Sequence, residues 1–293
     1  MPNPRLLQTA ERWMNKEAPV VVQVQKPAQP QAVSPIQNIL YPDLPSEVFI
    51  FSYDGAHKDF AQELIAKSNE VFAGTRAEIP VGNSGEVKNM YIAKRMGLIT
   101  VIAKNSNLRN YGLLPITPMQ DECLLKNGKL QDPSKFWEDL ALLLYDTNGN
   151  NSNEAKYLME SVRKNRAELG LSNSDLKKRL VVVNPGAEVD KAMTYGVKPI
   201  VIPGITLVYP HEILEKTGQN HTFEYGLTKG LPAVKDIGSG KRTLYMPSET
   251  QDIGLRVLYR YWDLDLSAGY WDLADSVGAG RVSFAPQGRS PKK

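Results

Sequence analysis

Hydrophobic and polar positions change rhythm several times along this chain, and the changes mark out its elements. Residues 76–81 and 90–104 read as two extended arms joined by the turn-forming run Gly82-Asn83-Ser84-Gly85. The second arm carries Tyr91, Ile92, Ile99, Val101 and Ile102, branched and aromatic types that suit a pleated surface. At about 3.3 Å per residue it reaches roughly 50 Å. Arg76, Lys88, Lys94 and Arg95 punctuate this ribbon and argue against burial on both faces. Two strands of that length are marginal alone, so the ribbon calls for a surface in this chain or in a neighbouring copy.

Elsewhere the pattern alternates between strand and helix. Residues 47–53 are apolar and aromatic enough for a strand, and 57–68 place Phe60, Leu64 and Ile65 at helical spacing. Residues 105–118 read as a loop. Asp132-Pro133 opens a helix, with Leu140, Leu143 and Leu144 in one apolar patch. Tyr157, Leu158, Val162 and Leu169 form another, and the Asn-rich run at 148–153 either divides two helices or inserts a loop. Residues 179–184 predict a short buried strand, 188–195 a helix, and 198–202 with 205–208 two further strands. Residues 217–243 are loop-rich. Residues 254–266 read as a long strand in which neither face is cleanly polar.

At the N-terminus, residues 4–17 set Leu6, Leu7, Ala10, Trp13 and Met14 near one face of a short amphipathic helix. Prolines 19, 27, 30 and 35 then favour an extended linker. Two readings stay open: an arm that docks elsewhere, or a partly disordered terminus. The basic tail 287–293 reads as disordered.

Composition narrows the class. The chain has 293 residues, 42% hydrophobic and 23% charged, as in a soluble globular protein. Net charge is +3, from 35 basic and 32 acidic residues, too balanced for a dedicated nucleic-acid binder though compatible with a local basic face. Cys123 is the single cysteine, so no internal disulfide forms and a zinc site built on cysteines is excluded. Residues 1–18 lack the apolar core of a signal peptide, and no run is apolar enough to span a membrane. An intracellular protein is the expectation.

The search for chemistry returns weak signals. His211-Glu212 starts like a metalloprotease helix, but Glu215 stands where the second histidine belongs. His57 stands apart. His221 and Glu224 read better as surface polar residues than as a pair. Gly238-Ser239-Gly240-Lys241-Arg242-Thr243 suggests a phosphate loop, yet Lys235 replaces the first glycine and Arg242 intervenes before the hydroxyl, so a plain basic turn is the better reading. Asp54, Asp59 and Glu63 follow a predicted strand but suit a solvated helix face. The stretch 47–65 loosely resembles the opening of Toll/interleukin-receptor domains, and the ribbon that follows does not fit a full domain of that kind. No catalytic, cofactor or metal residues are assigned.

In its order of parts the chain resembles the major capsid proteins of tailed bacteriophages. The likeness is carried by the layout, by Tyr41-Pro42-Asp43-Leu44-Pro45-Ser46 and Tyr91-Ile92-Ala93-Lys94-Arg95, and by residues 267–274. It implies an α+β phage capsid-like fold. The N-terminal arm would be 1–38, an opening strand and helix 39–71, the extended β-ribbon loop 72–105, and the peripheral domain with its spine helix 106–179 and 241–286. An axial α/β domain would occupy 180–240. It further implies a non-enzymatic subunit with no cofactor, in the virion and assembled in the host cytoplasm. Its partners would be copies of itself, packaged DNA held non-specifically and other virion proteins, with no membrane. Leu6, Leu7, Trp13, Arg76, Lys88, Tyr91, Lys94 and Arg95 are the expected assembly contacts. The rivals are an α/β nucleotide-binding protein or enzyme using the loops after 47–53 and 180–184, and a tail or neck protein.

Overall fold

Continuous apolar runs dictate the centre of the molecule. In the computed structural model, residues 39–81, 87, 89–145, 152–248, 254–270, 273–274 and 280–289 are described. All of them fall in one unit, Pro35–Lys293. The chain begins with β1 (Ile39–Leu40), β2 (Phe49–Ile50), α1 (Lys58–Phe72), α2 (Ile92–Lys104) and α3 (Ser106–Asn110). Next come β3 (Leu113–Pro115), α4 (Pro118–Lys126), β4 (Trp137–Leu144), α5 (Asn153–Lys164) and β5 (Leu180–Val183). β6 (Gly186–Val189), β7 (Val197–Ile200), β8 (Leu207–Pro210), β9 (His221–Phe223) and β10 (Arg242–Tyr245) follow. The chain closes with β11 (Leu255–Arg260), β12 (Leu266–Tyr270), β13 (Gly280–Arg281), β14 (Ser283–Pro286) and β15 (Gly288–Arg289). The fold is mixed α+β.

The main sheet runs β8-β5-β4-β11-β12-β10-β9, with β13 also joined to β4. Its pairings are antiparallel except β10 with β12 and β13 with β4. A smaller sheet has the order β2-β14-β3, and β6-β7 and β1-β15 form two-stranded pairs. Both faces of the main sheet are covered. Leu142, Leu144, Leu180, Val182 and Val257 join one core with residues of α1, α2 and α5. Leu140, Leu143, Val181, Val183 and Leu258 join a second core with Ile213, Leu214, Phe223 and Leu231. Each such side chain adds roughly 1.5–3 kcal/mol by leaving water.

This architecture corrects several expectations. The second arm of the expected ribbon is α2, and every residue from Ile92 to Ala103 is buried. A helix enclosed on all sides shows no amphipathic stripe, so its branched residues pass for strand. Residues 78–81 are irregular, and the turn at 82–85 and Lys88 lie outside the described residues. The spine helix over 133–170 is instead β4 followed by α5. Leu140, Leu143 and Leu144 belong to a strand covered on both faces, whose apolar run carries no period of two. Residues 188–195 contain the end of β6 and a turn rather than a helix. The expected α/β domain at 180–240 holds strands and short 3₁₀ turns. The loop expected at 105–118 contains α3 and β3.

The strands at 179–184, 198–202 and 205–208 and the helix at 57–68 are present with shifted ends. The one long strand expected at 254–266 is instead β11, a turn over 261–265 and the start of β12, which folds back antiparallel on β11. The arm and linker at 1–38 lie outside the described residues. Among the described residues no helix is long and apolar enough to cross a membrane.

Candidate functional site

A buried ionic frame holds α4 against the sheets and so fixes one wall of a cleft at the surface. The helix starts with a complete capping box: the Thr117 hydroxyl accepts from the Gln120 N–H, and the Gln120 side chain accepts from the Thr117 N–H at 2.8 Å. Two consecutive carboxylates follow. Asp121 accepts from Arg260 Nε at 3.1 Å, and Glu122 takes Arg242 in a two-pronged pair at 2.6 and 2.7 Å. Glu138 stands 3.5 Å from Arg95 and 3.8 Å from Arg260, and also accepts from the N–H and hydroxyl of Ser283. Arg95 is wholly buried and donates to the carbonyls of Asp139 and Ile116 and to the Asn184 side chain. Burial lifts the Glu122 and Glu138 carboxyls above their ordinary 4.5 against the opposing pull of these guanidiniums.

The same frame reaches the surface. Glu122 also accepts the Gly226 N–H at 2.7 Å, which anchors the loop carrying Leu227, Thr228 and Lys229. In that loop Gly230 has φ +90°, and a Cβ there would fall 2.3 Å from Pro118 Cβ. Only glycine lets the loop lie on the first turn of α4. Across the cleft, Gln120 donates to the Pro42 carbonyl at 3.0 Å and fixes the segment after β1. The Tyr41 hydroxyl donates to the Ile205 carbonyl at 2.7 Å, and burial raises its phenol well above the usual value.

Between these walls lies a cleft of about 880 Å³ whose floor includes Leu207, Val208 and Tyr209 of β8. β8 is the end strand of the main sheet. Leu40, Leu207 and Leu227 line the cleft and are 52%, 38% and 36% exposed. Asp43, Glu168 and Lys229 add charge to it. Lys229 lies over the Tyr209 ring at 4.8 Å, while the Tyr209 hydroxyl donates to the Lys229 carbonyl at 2.6 Å.

No family model, curated protein or solved structure matches this chain. The site is therefore read from its own geometry.

Of the expected contact residues, Leu6, Leu7, Trp13 and Lys88 lie outside the described residues. Arg76 is exposed. Tyr91, Lys94 and Arg95 are buried, so the folded chain does not present them to a neighbour. Lys94 Nζ sits 4.5 Å from the Tyr91 ring centre and donates to the Asn89 carbonyl at 3.1 Å. Burial, and secondarily Arg76, pulls its pKa down to about 8.

The weak chemical signals resolve into packing. His211 Nδ1 accepts the Ile213 N–H while Nε2 donates to the Thr228 carbonyl, which fixes one neutral tautomer. His221 Nε2 donates to the Lys216 carbonyl. His57 lies against the Phe49 ring and 3.5 Å from Glu47. Gly240 is glycine because a Cβ there would meet the Phe223 backbone at 2.4 Å, and Arg242 of the same stretch is held by Glu122. Asn184, after β5, is spent on Arg95, the Pro115 carbonyl and the Thr206 hydroxyl.

Sequence reasoning missed α4 and its carboxylates. Thr117-Pro118-Met119-Gln120 was the available signal, a capping box with proline at the first helical position.

Proposed function

We propose that this chain is a structural subunit that associates with copies of itself, in the manner of the tailed-phage capsid proteins its layout resembles. The cleft at the end of the main sheet carries the reading. It gathers three of the exposed large hydrophobics of the described residues, Leu40, Leu207 and Leu227, at one place in contact with water. Apolar surface gathered at one rimmed place marks a site for another chain. The ribbon and the spine helix play no part in this argument, since α2, β4 and α5 occupy their places. Within a closed shell, the exposed Arg163, Lys164, Lys177 and Lys178 would meet packaged DNA through its phosphates, without sequence preference and with strong salt dependence.

Sedimentation velocity and negative-stain microscopy of the full chain test the proposal. Closed particles support the shell, while rings or tubes would instead indicate a tail or neck component. A monomer that persists at high concentration and binds a nucleotide saturably would replace the proposal with the enzyme class.

A further inference from the structure

We propose that His211 is a pH-operated clasp on the cleft: neutral, it ties the Leu227–Lys229 wall to the turn after β8, and protonated, it lets that wall part from the turn. Leu227, Thr228 and Lys229 all line the cleft. The clasp acts on the wall itself, whatever the cleft receives.

The two ring nitrogens hold two different elements. His211 is buried directly after β8 and caps the 3₁₀ turn Glu212–Glu215, where its Nδ1 accepts the Ile213 N–H at 3.2 Å. Nε2 donates to the Thr228 carbonyl at 2.9 Å. An imidazole accepts on one nitrogen and donates from the other only while it is neutral. A second proton would set a donor on Nδ1 against the Ile213 N–H, with the Lys229 cation nearby. Water can accept from that donor, but only if the ring leaves its seat. Both bonds are then lost together.

The wall is free to move only between two fixed ends. Glu122 accepts the Gly226 N–H at one end, and Gly230 lies on Pro118 with φ +90° at the other. Between them Lys229 keeps φ +54°, a left-handed backbone that side chains disfavour, held by the Tyr209 hydroxyl on its carbonyl. Thr228 and Leu231 exchange main-chain hydrogen bonds at 3.1 and 3.2 Å. The Thr228 carbonyl thus serves both Leu231 and His211, and the clasp and the loop share one acceptor.

The surroundings set the sign. Burial holds the imidazole below its ordinary 6.5; the Thr228 bond opposes this, Lys229 adds to it and Glu212 opposes it. Arg179 meets the turn through the Leu214 carbonyl and Glu215, and Glu122 meets the loop from α4. The clasped state therefore favours the neutral ring. It is complete above 6.5 and weakens as pH falls from 6.5 through the lowered folded value.

Hydrogen exchange of the full-length chain, corrected for the intrinsic rate at each pH, tests the clasp. The range runs from about pH 8 to about pH 5, where histidine is the side chain that ordinarily changes charge. The Ile213, Thr228 and Leu231 amides are hydrogen-bonded in the clasped state and should exchange at least about tenfold faster at the acid end. Amides of β4 report global opening and should hold steady. His211→Gln cannot titrate and should abolish the acid step. His57→Gln/His221→Gln leaves His211 as the sole histidine and should keep it. His211→Asn, which still offers an oxygen to Ile213, stands in for His211→Gln if circular dichroism shows the latter unfolded.

A step that survives in His211→Gln belongs to another group, Glu122 foremost, and overturns the clasp. So does faster exchange at Ile213 with Thr228 and Leu231 unchanged, since the ring would then have kept the wall. A parallel rise in β4 would mean that the whole fold loosens, and it overturns the clasp equally.

Discussion

The Asp139 carboxylate on β4 accepts the backbone N–H of Ile92 at 2.6 Å, so the sheet supplies the first-turn acceptor of a helix 47 positions earlier. Tyr91, in the local capping position, makes no side-chain cap bond. The start of α2 is therefore capped by the sheet and not by its own neighbouring residues. Asp139→Ala removes the acceptor and leaves a buried N–H, at a cost of about 1–3 kcal/mol. Asp139→Asn keeps an oxygen there and should lose less than half of that. Urea unfolding midpoints, with unchanged slope, give the comparison. Equal losses for the two variants would show that the bond is incidental.

That relationship also explains what could be read in the sequence. α5 was legible because Ser152 caps it locally and Leu158 and Val162 share one face. α2 was not, because its cap is remote and its enclosure erases the helical period. β4 failed for a related reason, since burial on both faces left an apolar run with no alternation. The ionic frame was invisible because charged residues almost never occupy cores, and the partners of Arg242 and Arg260 lie over a hundred positions away. The cleft could not be foreseen at all, as its walls come from β1, α4, β8 and the 227–229 loop together.

Arg242 and Glu122 should behave as a unit. Arg242→Met would strand a buried carboxylate and cost roughly 3–5 kcal/mol, while adding Glu122→Leu removes the stranded charge and should recover part of that loss. A double-mutant cycle on unfolding free energies measures the coupling. Additive losses would mean that each group is satisfied without the other.

The carboxyl of Glu138 gives the fold a pH signature. Its folded value lies above the ordinary 4.5 because burial outweighs Arg95. The protonated form is thus favoured by folding, and the corresponding stability is complete below 4.5 and is lost as pH rises through the folded value. Glu138→Gln should remove this part of the pH slope whatever its effect on absolute stability. Unfolding free energies of both proteins, taken at intervals upward from pH 4.5, should diverge from parallel curves. Parallel curves would show that Glu138 ionises in the core as freely as in the unfolded chain.

Lys94 carries the opposite dependence and decides whether the 90–104 segment is interior in solution. Its pKa of about 8 lies below the unfolded 10.5, so folding favours the neutral amine. Below pH 8 the fold bears the full cost of a buried cation, and it recovers that cost as pH rises from 8 to 10.5. Lys94→Met deletes the cost, so its gain over the parent should be largest near pH 7 and shrink steadily to pH 10.5. Paired urea titrations across that range measure it, and the parent's common response to tyrosine ionisation cancels in the difference. A pH-independent gap would place the Lys94 amine in water and return the segment to the surface, where it could again contact a neighbour. A closing gap keeps Lys94 and α2 in the core, out of reach of a neighbour.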